Sequence, residues 1–290
     1  MSDYSTVQSW EDNFLRRKMG VYVSFLPHAT VSGSTSQIRS KLGFFRSLSS
    51  NGTRIVQVVP LLMDGHDPDS VINGSLRNQY IAFWRQIGST LAEAGARAPV
   101  VRIGHEMNLG CVYNWSAVCP GMNEAKFVAL YRMAADAIRS TKPDAQRCWN
   151  PGKASQTNIQ ELWPGDNYVD VIGVDWYNNG NMGGFITDDA SWKKKYSMGS
   201  VTDPIGLGRW YEFAKAHNKP ISFPEWGVSD NRGVIADHPA FIRNIYNYFQ
   251  MIDREGNLAF ESYYNATKHQ IVPVRQHPNA SRTYQSLFGN

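Results

Sequence analysis

The 290-residue sequence has no apolar run of the roughly 20 residues a bilayer-spanning helix needs, so no membrane partner is expected. Its opening stretch, MSDYSTVQSWEDNFLRRK, has no apolar core of the kind a secretory leader carries, so no signal peptide is visible. Charge of one sign is also scarce. Against 29 Lys and Arg stand 25 Asp and Glu, a net +4. The only basic run, Lys193 to Lys195, is too short to track a phosphate backbone, so no nucleic-acid partner is expected. No Gly-x-Gly-x-x-Gly turn and no Gly-x-x-x-x-Gly-Lys-Ser/Thr loop follows an early strand-like run, and no cofactor is expected. There are only three cysteines. Cys111 and Cys119 flank the loop VYNWSAV. They can close a local disulfide, which would point to an oxidising compartment, or remain thiols. Cys148 lies in an apolar stretch and is expected to be buried.

Aromatic residues are plentiful: nine Trp, fourteen Tyr and thirteen Phe. With 42% hydrophobic and 19% charged residues the chain has the material for a sizeable core. Strand-like and helix-like runs alternate. Strands are expected at 20–26, 54–63, 98–104, 146–150, 168–177, 221–226 and 258–264. Helices are expected near 36–48, 75–95, 124–141, 206–217, 239–256 and 281–289, with a further helical pattern within 1–19. Runs such as IVQVV and VIGV suit strands covered on both faces. This order implies βαβ units on a parallel sheet, and the length fits one (β/α)8 TIM barrel. Seven strands are found rather than eight, so the first is expected to be missing or atypical. No linker or repeat interrupts the chain, and residues 1–290 read as a single domain acting as a monomer.

In a barrel of this kind, functional residues sit at the C-terminal ends of strands. The strand at 98 ends on His105, Glu106 and Asn108. The strand at 146 ends on Asn150, and that at 168 on Asp175, Trp176 and Tyr177. Glu225 and Trp226 end the strand at 221; Tyr263, Tyr264 and Asn265 end the one at 258. The His-Glu pair is not half of a zincin site. That motif needs a second His at position 109, which is Leu, and a helix rather than a strand end, so no metal is expected. Two acids at strand ends are what glycoside hydrolysis requires, one protonating the leaving oxygen and one attacking the anomeric carbon or activating water. Each residue also has a plainer reading. A strand-end Glu can be a solvated loop acid, and His105 a structural histidine. By strand alternation Trp176 and Trp226 can point into a helix layer.

With RIGHEMN (102–108), GVDWY (173–177) and PEWG (224–227) on the page, the chain resembles glycoside hydrolase family 26, in the clan of (β/α)8 retaining hydrolases. The resemblance implies Glu106 as general acid/base and Glu225 as nucleophile. It implies His105 as a sugar contact, Tyr177 as a hydrogen-bond partner of the nucleophile and Arg102 as a support for the acidic centre. Trp115, Asn150 and Tyr264 join these as candidate substrate-binding residues. Leu109, and the loop GCVYNWSAVC after it, depart from the family pattern, as does Tyr263–Tyr264 where many relatives offer a Trp. The expected activity is retaining hydrolysis of a β-linked polysaccharide or oligosaccharide, endo-β-1,4-mannanase-like. The alternatives are another β-glycan or exopolysaccharide hydrolase, or a non-catalytic carbohydrate-binding barrel. A polymeric substrate implies extracellular work.

Overall fold

The computed structural model describes residues 10–272 and 276–289. They form two compact units, one made of residues 20–173 with 217–219 and the other of the remaining residues.

The first unit carries β1 (Val21–Phe25), α1 (Val31–Ser40), α2 (Leu42–Ser50), β2 (Arg54–Val59) and α3 (Pro68–Ile72). It continues with α4 (Arg77–Glu93), β3 (Val100–Ile103), α5 (Glu124–Thr141), β4 (Gln146–Trp149) and β5 (Val171–Gly173). The five strands pair in sequence order and in parallel, with Val21 opposite Arg54, Val56 opposite Val100, Val100 opposite Gln146 and Cys148 opposite Val171. Every residue of β2 from Ile55 to Val59 is buried, as a strand covered on both faces must be. α4 turns Tyr80, Phe83, Trp84, Ile87 and Leu91 inward at helical spacing and packs on α5. The two helices meet closely at Gly88, where a Cβ would come within 2.8 Å of the Ile138 carbonyl oxygen. α5 begins where Asn123 accepts a hydrogen bond from the Lys126 amide at 2.9 Å, satisfying one of the unpaired donors of its first turn.

The second unit opens with a π-helical turn, Trp10–Leu15. Next come β6 (Trp176–Asn178), α6 (Asp189–Tyr196), α7 (Leu207–Ala216), β7 (Ile221–Val228) and α8 (Pro239–Arg254). β8 (Leu258–Tyr263), a 3-10 turn (Thr267–His269) and α9 (Pro278–Phe288) complete it. β6 and β8 each pair with β7 in parallel. All eight residues of β7 are buried. Trp176 stacks on Phe241 of α8, and Trp226 sits among Phe249, Tyr263, Tyr284 and Phe288. Both indoles therefore belong to the core against the helices, the plainer of their two readings.

The run 168–177 is two short strands, broken at Val174 and Asp175, so the seven expected strands appear as eight. Among the described residues no strand precedes Val21. The helical pattern expected within 1–19 is the π-helical turn where it is described, and residues 1–9 lie outside the described set. α3 and α6 were not expected from the periodicity, because both are short and α6 is dominated by charge. No helix among the described residues is long and apolar enough to cross a membrane.

Candidate active site

Beyond β3 the chain turns through two left-handed positions, Gly104 (φ 56°) and Glu106 (φ 54°). Gly104 has no room for a side chain, since a Cβ there would lie 2.9 Å from Leu61 Cβ. The Glu106 amide donates to the Asn150 carbonyl at 2.7 Å, so the end of β4 fixes the backbone that carries the acid. Asn108 is fully buried and clamps the next loop. Its Oδ1 accepts from the Gly152 amide at 2.8 Å, and its Nδ2 donates to the Gly152 and Ala154 carbonyls at 2.9 and 3.2 Å. Leu109 packs on Gly152 closely enough that a Cβ there would be 2.9 Å from it. Within His105–Asn108 only Glu106 stays partly exposed.

His105 is buried in an aromatic surround. Tyr113 lies 4.7 Å from its ring, Trp115 5.7 Å and Phe25 6.2 Å, centroid to centroid. Tyr113 stacks flat on Trp115 at 4.6 Å, and His28 meets both edge-on at 5.8 Å. Asp64 holds this arrangement by accepting from Asn114 Nδ2 at 3.1 Å and pairing with His28 at 2.9 Å. Burial, with Arg102 and His28 adding to it, pushes the His105 pKa well below its usual value. A neutral imidazole offers one donor and one acceptor, the pair a sugar hydroxyl uses. Cys111 and Cys119 are bridged, which closes the loop bearing Tyr113 and Trp115. Cys148 takes no part in the bridge and is buried.

In the second unit β7 presents Glu225, 8% exposed. The Tyr177 hydroxyl at β6 donates to Glu225 Oε2 at 2.7 Å. His269 lies against the Tyr177 ring at 4.3 Å, and Tyr264 completes the cluster at 6.2 Å from Tyr177 and 5.5 Å from His269. The His269 Nδ1 donates to the Val228 carbonyl at 2.8 Å, and the His269 carbonyl accepts from the Tyr263 hydroxyl at 2.8 Å. Burial lowers the His269 pKa. A carboxylate receiving a phenolic hydrogen bond in a mostly buried pocket is held in one orientation, as a nucleophile must be.

The structure brings Arg102, His105, Glu106, Asn150 and Trp115 together in one unit, and Tyr177, Glu225 and Tyr264 in the other. Two candidates have main-chain partners within the site. Trp115 is 1% exposed and donates its indole N–H to the His105 carbonyl at 2.8 Å, which supports the histidine. Asn150 is fully buried and acts on Glu106 through its main-chain carbonyl. Arg102 is also fully buried, 5.9 Å above the Phe25 ring. Phe25, His28, Tyr113 and His269 were not among the candidates. Phe25 ends β1 and His28 follows it, so the strand-end rule that marks the later candidates also points to them. Among the described residues no cluster of His, Cys, Asp and Glu could hold a metal ion.

The model of glycosyl hydrolase family 26 matches residues 51–203, a little over half of the chain. The chain belongs to glycosyl hydrolase family 26. The matched segment contains Arg102, His105, Glu106, Asn150 and Tyr177; Glu225 and Tyr264 lie beyond it. Among solved structures, a modular endo-β-1,4-mannanase from Cellulomonas fimi matches with a TM-score of 0.67 and 20% identity, over 93% of this chain and 63% of that one. A family 26 β-mannanase from Bacteroides ovatus matches at 0.60 and 18%, over 92% and 78%. The catalytic domain of a family 26 endo-β-1,4-mannanase from Bacillus sp. JAMB-750 matches at 0.64 and 16%, over 93% and 77%. These likenesses show the fold, α/β of the (β/α)8 barrel class. The family 26 chain described here thus spans less than two thirds of the Cellulomonas fimi enzyme. No curated protein matches it.

Proposed function

We propose that the chain is a retaining glycoside hydrolase that cleaves a β-linked polysaccharide by double displacement, acting as an endo-β-1,4-mannanase on β-1,4-mannan. The observation that carries this is the Tyr177 hydrogen bond to Glu225 within β7, in a family whose solved members similar to this chain include mannanases. Glu225 attacks the anomeric carbon while protonated Glu106 gives its proton to the leaving oxygen. Glu106 then takes a proton from water, which hydrolyses the glycosyl–enzyme ester and restores both carboxyl groups. His105, neutral in its aromatic surround, takes a hydroxyl of the sugar being cleaved. Tyr264 adds an aromatic face near Glu225. The Cys111–Cys119 bridge and a polymeric substrate both support action outside the cell.

The test is hydrolysis of β-1,4-mannan, mixed-linkage β-glucan and β-1,3-xylan, with proton NMR of the first-formed product. Mannan is the expected substrate, and the product keeps the β configuration. Glu225→Gln and Glu106→Gln each lower kcat by at least about a hundredfold. Near-normal hydrolysis by Glu225→Gln, or an inverted product, sinks the assignment.

A further inference from the structure

The lysine run set aside above as too short for nucleic acid borders a cleft of about 320 Å³ in the second unit, between α6 and α8. α6 contributes Trp192, Lys193 and Tyr196; α8 contributes Asn244, Asn247, Tyr248 and Met251. Trp192 and Tyr196, at i, i+4, share one face of α6, and the α8 residues, at i, i+3, i+4 and i+7, share one face of α8. Trp192 and Tyr196 are half-buried rings 6.0 Å apart, and Tyr248 meets Tyr196 edge-on at 5.7 Å. Tyr248 is buried and committed to the core, its hydroxyl donating to the Leu207 carbonyl at 2.7 Å. The other two rings keep accessible surface.

The polar rim is built. Asn244 Nδ2 donates to Asp189 Oδ1 and to the Ala240 carbonyl, both at 3.0 Å, which fixes the amide and leaves its carbonyl oxygen as an acceptor for a ligand. Asp189 opens α6 within the Asp188–Ser191 capping box, so the start of that helix is latched to α8. Asn247 and Lys193 are exposed at the edge and add donors.

Two aromatic rings with amides and one ammonium around them match a pyranose ring. Its C–H face packs on an aromatic face, and its hydroxyls need both donors and acceptors. The volume is at the small end for a ligand pocket, and a stable protein partner needs about 800 Å² on each side. The exposed large hydrophobic residues all lie elsewhere in the chain, so this is no greasy docking face. We propose that the cleft is a second carbohydrate site, on the helix layer, that holds a sugar unit of the polysaccharide. It shares no residue with the surroundings of either carboxylate. That the polymer held is also the one cleaved rests on the hydrolase reading above.

The test is electrophoresis through native gels containing β-1,4-mannan or mixed-linkage β-glucan, in a Glu106→Gln background that leaves the polymer intact. At least one polymer is expected to retard the parent, and Trp192→Ala to weaken that affinity about 2- to 10-fold. Asn247→Ala, at an exposed position, weakens it in the same direction without touching the fold. Thermal midpoints equal to the parent's show that both variants are folded. In the Glu106 enzyme, Trp192→Ala leaves the rate on a short soluble oligosaccharide unchanged. Retardation by neither polymer, or retardation indifferent to both substitutions, overturns the second site. Hydrolysis of mannan with Trp192-independent retardation removes this site and leaves the hydrolase reading. Trp192-dependent retardation with no hydrolysis of any polymer does the reverse.

Discussion

Glu106 and Glu225 are held in different ways. The main chain holds Glu106, through its left-handed turn and the Asn150 carbonyl. A side chain holds Glu225, through the Tyr177 hydroxyl. Removing that hydroxyl is therefore a clean test. A hydrogen bond to a charged group contributes about 1.5–3 kcal/mol, and each 1.36 kcal/mol is tenfold in rate. Tyr177→Phe should lower kcat about 10- to 100-fold with the fold intact, as steady-state kinetics on soluble oligosaccharide will show. His105 makes a prediction about stability. Its pKa is lowered in the folded state by burial first, then by Arg102 and His28. Below about pH 6.5 the unfolded chain therefore binds a proton that the folded chain does not. The stability attached to this residue is complete above about pH 6.5 and is lost as the pH falls, by up to about 1.4 kcal/mol per pH unit. Thermal unfolding of His105→Gln between pH 7 and 5 should show a shallower acid decline than the parent. An equal decline would remove His105 from the account.

The loop between Cys111 and Cys119 shows how an element serves a residue. The bridge closes a short segment, with a sequence separation of 8 between the cysteines, and holds Tyr113 stacked on Trp115 beside His105. Chain entropy limits its contribution to about 2–3 kcal/mol, so Cys111→Ser with Cys119→Ser should still fold. The larger effect is expected on substrate binding. KM should rise several-fold while kcat changes less, which steady-state kinetics on polymer will resolve. Elements were legible in the sequence wherever periodicity and a cap coincide. α5 begins and ends where EAKFVALYRMAADAIRST does, after the Asn123 cap. The break between β5 and β6 was not legible, because VIGVDWY is apolar almost throughout and nothing local marks Val174 as a stop. His269 was also hidden. It lies in a 3-10 turn within the polar segment ATKHQ, and only the fold brings it to Tyr177. Trp115 is a candidate substrate contact on the sequence alone. Its burial depends on Tyr113 covering one face, which no spacing rule encodes.

At the scale of the molecule, each unit brings its own carboxylate and the groups that hold it: β3, β4 and the bridged loop for Glu106, and β6 to β8 with the 3-10 turn for Glu225. Parallel strands with helical connections were legible because runs such as IVQVV and VIGV suit strands covered on both faces and alternate with helix-like runs. The left-handed backbone at Glu106 bears on the heat tolerance of the whole chain. A residue with a long side chain in that region costs about 1–2 kcal/mol, whereas Asn enters it readily. Glu106→Asn, which loses the acid, should therefore melt later than the native chain, by about 2 °C or more in a calorimetric scan. Selection for activity would then hold this position at a residue that lowers the melting temperature, and a search for heat-resistant variants made without an activity screen would converge on dead enzyme.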